Sequence, residues 1–174
     1  IAISLLLHEI AHAKVAVWYG DYTAMMENRA SLHPKHWIAH VDPMMTLALP
    51  LVTYYAAGFM FGSAKPVPTN VYNFRNPVKD MAKVAFAGPA VHVILAVAGA
   101  LAVSGTLAAG FPALAAGLAT FTFLNVALGV FNIIPIAPLD GSHILRALLP
   151  QSLSDPLDRF YGGLSRVGSR VLRS

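Results

Sequence analysis

Cysteine is absent from this 174-residue chain. That excludes disulfides and thiolate metal sites, so any metal must be held by histidine, aspartate or glutamate. Charge is also scarce: Asp, Glu, Lys and Arg make up 11% of the residues, against about 25% in an ordinary soluble domain. A chain with so few ionic side chains cannot cover a water-facing surface, and 56% hydrophobic residues with a mean hydropathy of +0.61 read as a membrane protein. The small ionic complement is unbalanced, with a net charge of +4. Its cations flank apolar segments and are not interleaved with stacking aromatics, which argues against nucleic acid and for membrane-flanking positions. The sequence opens at Ile1 without an initiator methionine, so it is expected to be a piece of a longer chain, trimmed upstream. It lacks the basic n-region of a signal peptide.

What is abundant is apolar sequence, in four segments: Ile1–Tyr19, Met44–Phe61, Met81–Val103 and Leu107–Ile134. Polar, Pro-containing stretches separate the first from the second and the second from the third. Small residues in the last two (Gly88, Ala96, Gly99, Ala100, Ala116, Gly117) suit close helix packing in a membrane. Cations lie in the first inter-segment loop (Arg29, Lys35), in and just after the second (Lys65, Arg75, Lys79, Lys83) and in the tail (Arg146, Arg159, Arg166, Arg170, Arg173), but not between Ser104 and Gly110. The positive-inside rule puts all three cationic regions in the cytoplasm. Either that rule fails for one loop, or the second segment enters and returns on one side; parity favours re-entry, with Pro50 and the Gly58–Gly62 region as breaks. Non-helical backbone at that depth must be buried in protein or line a water cavity. The expected fold is an all-α polytopic membrane protein: three core transmembrane helices, a re-entrant apolar segment and an extended Pro-rich loop. The core spans residues 1–145, and residues 146–174 form a basic amphipathic cytoplasmic tail.

The first segment carries His8-Glu9-Ile10-Ala11-His12. Positions four apart share a helix face, so His8 and His12 can offer two imidazole nitrogens to one ion, with Glu9 beside them to activate water. An ionisable cluster inside an apolar segment is a functional candidate by default. A third ligand is needed, and only eight acids exist. The best placed is Asp140 in Asn132-Ile-Ile-Pro-Ile-Ala-Pro-Leu-Asp140-Gly141, where Pro135 and Pro138 should unwind the helix and Gly141 should let the chain turn close to the site. Asp140 could otherwise be a turn or capping residue. His33, His36 and His40 have helix-face spacing, but Pro34 favours a loop and an ordinary surface role. Asp42 reads as a turn or cap.

H-E-x-x-H in a membrane segment, followed far downstream by N-x-x-P-x-x-P-L-D-G, resembles the site-2 protease family of intramembrane zinc metalloproteases. Phe61-Gly-Ser-Ala-Lys-Pro-Val-Pro68, Asn73-Phe-Arg-Asn-Pro77 and Ala87-Gly-Pro89 resemble its bacterial and archaeal branch without a PDZ domain. The resemblance implies one Zn2+ per chain on His8, His12 and Asp140, with Glu9 as catalytic base and Asn132 in contact with substrate. It implies cleavage of peptide bonds in or near the membrane segments of protein substrates. It also implies a multi-pass place in a prokaryotic inner membrane, the active site nearer the cytoplasmic face. The extended stretch Ala64-Lys-Pro-Val-Pro-Thr-Asn70 is expected to pair with unwound substrate as an added strand. One position departs from the pattern: the family often has asparagine three residues after the Gly-Pro, and here it is His92, which could donate one hydrogen bond across helices. The second reading is a non-enzymatic metal- or partner-binding membrane protein on the same scaffold, against which an intact Glu9 argues.

Overall fold

No helix breaker interrupts the first apolar stretch, and in the computed structural model it forms α1 (Ala2–Trp18). The chain turns at Gly20, whose φ of 100° is costly for any residue with a Cβ. The structure describes residues 2–58, 64–150, 152–154 and 156; all statements below concern these. Among them there is no strand. The inward face of α1 is Ser4, Leu6, His8, Ile10, His12, Ala13 and Ala16, so both histidines of the motif point into protein.

The polar stretch after α1 is more ordered than a loop. It holds α2 (Thr23–Met26) and a 3-10 helix at Pro34–His40. Pro34 begins this turn instead of preventing it, because the first N–H of a helical turn has no intrahelical partner anyway. Asp42 caps the next element: its Oδ1 accepts the N–H groups of Met44 and Met45, each at 2.9 Å. There a π-helical turn (Pro43–Ala48) runs directly into α3 (Leu49–Ala57). The break expected at Pro50 is therefore not there; Pro50 falls in the first turn of α3, where proline is tolerated. Gly58, at φ 75°, ends α3 in the left-handed conformation. The remainder of that segment, residues 59–61, lies outside the described residues with 62 and 63, as do Arg159, Arg166, Arg170 and Arg173 of the tail.

The third and fourth apolar segments are α4 (Pro77–Ala108, 32 residues) and α5 (Pro112–Ile133, 22 residues). Both start with proline and both are long and apolar enough to cross a membrane. Of the three expected spans, these two meet the length criterion of roughly 20 residues among the described residues. The α4–α5 pair is antiparallel in register, with Gly99 against Thr122 and Gly129 against His92. A Cβ at Gly99 would strike Thr122 Oγ1, and one at Gly129 would lie 3.2 Å from His92 Cβ; glycine is what lets these helices approach. On the other side α4 packs on α1, where Ala16, Phe74 and Val84 form a buried cluster. α5 stops at Ile133, and after Ile134–Leu139 a short α6 (Asp140–Leu148) begins.

Candidate metal centre

Helix periodicity sets the first two donors. His8 and His12 lie one turn apart on the buried face of α1, and their Nε2 atoms are 2.9 Å from each other. The third comes from α6: Asp140 Oδ2 is 3.4 Å from His8 Nε2, and Oδ1 is 3.4 Å from His12 Nε2. Among the described residues this is the only group of three His, Asp or Glu side chains whose donor atoms all lie within 4.8 Å. His33, His36 and His40 form no such group; His33 and His36 rings are 5.9 Å apart, and His40 is buried elsewhere.

The carboxylate reaches the histidines differently from the sequence-based expectation. Asp140 does not sit on unwound backbone but is the first residue of α6, where the helix dipole favours a negative charge. Gly141 makes this possible by close approach, not by an unusual turn, since a Cβ there would strike the Ile133 carbonyl at the end of α5. Gly88 on α4 has the same role on the other side of the cluster. A Cβ on it would collide with His8 Cε1 and lie 2.5 Å from His12 Nε2.

The donor set fits a tetrahedral ion. With bonds of about 2.0–2.1 Å, ligand atoms should stand roughly 3.3 Å apart, close to both His–Asp separations. The 2.9 Å between the two nitrogens is a few tenths shorter. His12 Nδ1 donates to the Val84 carbonyl at 2.7 Å, so its Nε2 carries a lone pair. Two ring nitrogens at that distance need a proton or a cation between them. A carbonyl behind the ring is also the partner that fixes the tautomer of metal-binding histidines. Asp140 Oδ2 is buried with no hydrogen-bond partner, as expected of an oxygen reserved for a metal.

Glu9 projects beside this face, half-buried, and its Oε2 accepts the Val67 N–H at 3.0 Å. The extended stretch 64–70 thus lies against the motif. Asn132 is not joined to the cluster by a hydrogen bond; its Nδ2 donates to Leu128 O one turn back, at 2.9 Å. His92 does make the interhelical bond, Nδ1 to Asn125 Oδ1 at 3.0 Å, and its ring centroid is 5.0 Å from that of His8.

Among the buried polar residues that sequence reasoning missed are Asn125, Asp21 and Arg29. Asn125 interrupts an apolar segment, a usable signal. Asp21 and Arg29 stand in a loop where nothing local marks them.

Comparison with known proteins identifies the family. A model of peptidase family M50 matches residues 107–172. The chain is 38% identical over 155 residues to "Putative zinc metalloprotease YwhC" of Bacillus subtilis (strain 168), covering 85% of this chain and 66% of that protein. The chain belongs to peptidase family M50, the site-2 protease family. Other relatives carry names of the same form. Rip2 of Mycolicibacterium smegmatis is 34% identical over 79% of this chain and 51% of its own length. Rip3 of Mycobacterium tuberculosis is 46% identical over 51% of this chain and 23% of its own. The chain thus spans about two thirds of YwhC and half of Rip2. No solved structure matches. M50 membership and two apolar helices together point to a membrane protein.

Proposed function

We propose that this chain is the core of an intramembrane zinc endopeptidase that cuts peptide bonds in or near the membrane segments of other proteins. The observation that carries this reading is the meeting of His8, His12 and Asp140, from two helices far apart in sequence, beside Glu9. His8, His12 and Asp140 would hold one zinc ion per chain. When bound, zinc supplies Lewis acidity: it makes water nucleophilic near neutral pH and polarises a carbonyl oxygen.

The chain's own residues do the rest. Glu9 takes the proton of the attacking water on its carboxylate and returns it to the leaving amine. The α1–α4 packing at Gly88 leaves no room for bulk water behind the histidines. A membrane helix hides its peptide bonds in its own hydrogen bonds, so substrate must be locally unwound before it reaches Glu9. Such a strand would lie beside Glu9 and the extended stretch 64–70, whose Lys65 and Pro66 carbonyls and Val67 N–H are already bonded within the chain, and Asn132, at the end of α5, is the residue we assign to contact with it. By the positive-inside rule, the cationic loops support a site that faces the cytoplasmic side of the membrane.

The test is cleavage of a panel of single-span membrane proteins in liposomes by wild type and Glu9→Gln, with zinc measured in both. The expected result is cutting within apolar segments by wild type. Glu9→Gln should keep its zinc and lose about 10²- to 10⁴-fold in rate. Stoichiometric zinc in two equally inert proteins would favour the binding-protein reading.

A further inference from the structure

Arg29 is 2% exposed, and among the described residues its guanidinium pairs with no carboxylate. A cation is not buried in this way without acceptors, and its acceptors are two successive backbone carbonyls: Nη1 donates to Pro66 O at 2.7 Å, and Nη2 donates to Lys65 O. The local chain aims it there. Asn28 adopts φ 58° at the end of α2, and the Arg29 N–H returns to Ala24 O at 2.9 Å, a left-handed helix stop that turns the next side chain inward.

The stretch it grips is nearly bare of donors. Pro66 and Pro68 have no N–H, so Val67 supplies the single N–H between Lys65 and Thr69, and that N–H goes to Glu9 Oε2. Pro66 C=O and Val67 N–H belong to one peptide group, planar and stiff. Arg29 holds the oxygen of that plane and Glu9 takes its hydrogen. A cation on the oxygen also polarises the group and makes its N–H a stronger donor.

We propose that Arg29 is a positioning residue for Glu9, acting through the Pro66–Val67 peptide plane, so that one carboxylate oxygen is fixed and the other is left for proton transfer. This deepens the protease reading and rests on it for its kinetic consequence. A planar fork matches two adjacent carbonyls, whereas the point charge of lysine can serve them only in part.

The test combines amide exchange in the 64–68 segment with turnover, using Arg29→Gln, Arg29→Lys, Val67→Pro and the Arg29→Gln/Val67→Pro double variant, with zinc content measured throughout. Val67→Pro deletes the N–H while suiting an extended backbone. In Arg29→Gln, zinc should remain stoichiometric and the Val67 amide should exchange about tenfold faster. Its kcat should fall about 10²-fold, with KM little changed and Arg29→Lys in between. Val67→Pro should lose as much, and adding Arg29→Gln to it should cost nothing more. Additive losses would overturn the proposal, as would unchanged exchange in Arg29→Gln. If Arg29→Gln does not fold, full turnover by Val67→Pro overturns it. A wild type that cuts nothing would defeat the protease reading, and the exchange comparison would still decide whether Arg29 holds the Val67 N–H.

Discussion

Gly88 on α4 sits directly behind His8 and His12 on α1, so close that a Cβ in its place would overlap the His8 ring. The atoms in the way are the rings that line the candidate metal centre, and His12 is also held by the Val84 carbonyl. They cannot retreat without losing their convergence on Asp140.

Gly88→Ala should therefore act on both stability and metal binding. Overpacking of this kind costs about 1–3 kcal/mol, and displaced rings should weaken zinc about 10- to 100-fold, the range seen when the supports of metal-binding histidines are lost. Competition with a chromogenic chelator measures the affinity, and thermal unfolding with and without zinc measures the rest. A Gly88→Ala protein with wild-type affinity would show that the rings have slack.

His92 and Asn125 form the polar bond between α4 and α5. Asn125 spends its amide N–H on Phe121 O at 2.9 Å, so its Oδ1 is the acceptor and His92 Nδ1 the donor. His92→Leu should strand that oxygen in a buried position, at about 1–3 kcal/mol. Asn125→Leu alone should strand the imidazole N–H. The double variant should be less destabilised than the sum of the singles, which a double-mutant cycle on unfolding would read out. Strict additivity would mean that the two side chains do not depend on each other. Because the family often has asparagine at this position, His92→Asn should retain most of the stability.

The site was legible in the sequence to the extent that it depends on period and chemistry. His8 and His12 converge because a helix repeats every 3.6 residues, and with no cysteine and eight acids the choice of a third donor was narrow. What was not legible depends on tertiary contact. Asp140 heads a helix because the chain folds back on the end of α5 at Gly141, and hydropathy carries no trace of that approach. Arg29 and Asp21 look like ordinary loop residues until stretch 64–73 comes to lie across them. The ends of α4 were not legible in hydropathy: Pro77–Asp80 and Ser104–Thr106 are helical though too polar or too small to extend the apolar run, and Leu107–Ala108, read as the start of the fourth segment, end α4 instead.

Gly141→Ala tests the α5–α6 approach. A Cβ there would strike the Ile133 carbonyl, a backbone atom that cannot rotate away. The variant should move the start of α6 and with it Asp140. Zinc affinity should fall about tenfold or more, with the helical content of the chain unchanged by circular dichroism. Asp140→Asn should lose metal without this displacement, so the two can be separated by unfolding in excess chelator, where only Gly141→Ala should be less stable than wild type.

Asp21 pins the stretch after the Pro-rich segment to the end of α1. Its Oδ1 accepts from the Thr23 backbone and side chain and from Asn73 Nδ2 at 2.8 Å, and its Oδ2 accepts the Asn70 N–H at 2.7 Å. Burial pushes this carboxyl up, but the donors from Thr23, Asn73 and Asn70 outweigh it and hold it below the usual range. A carboxyl depressed in the folded state stabilises the fold above its unfolded value, about 3.9. That stabilisation is lost as pH falls through the lower, folded value. Asp21→Asn turns an acceptor oxygen into a donor facing donors, so it should cost about 1–3 kcal/mol near neutral pH. The gap between wild type and Asp21→Asn should be constant from pH 5 to 8 and shrink as the solution becomes more acid than pH 4, which denaturant melts of the two proteins would show. A gap that persists undiminished down to pH 2 would mean that the carboxylate charge is not what holds these loops together.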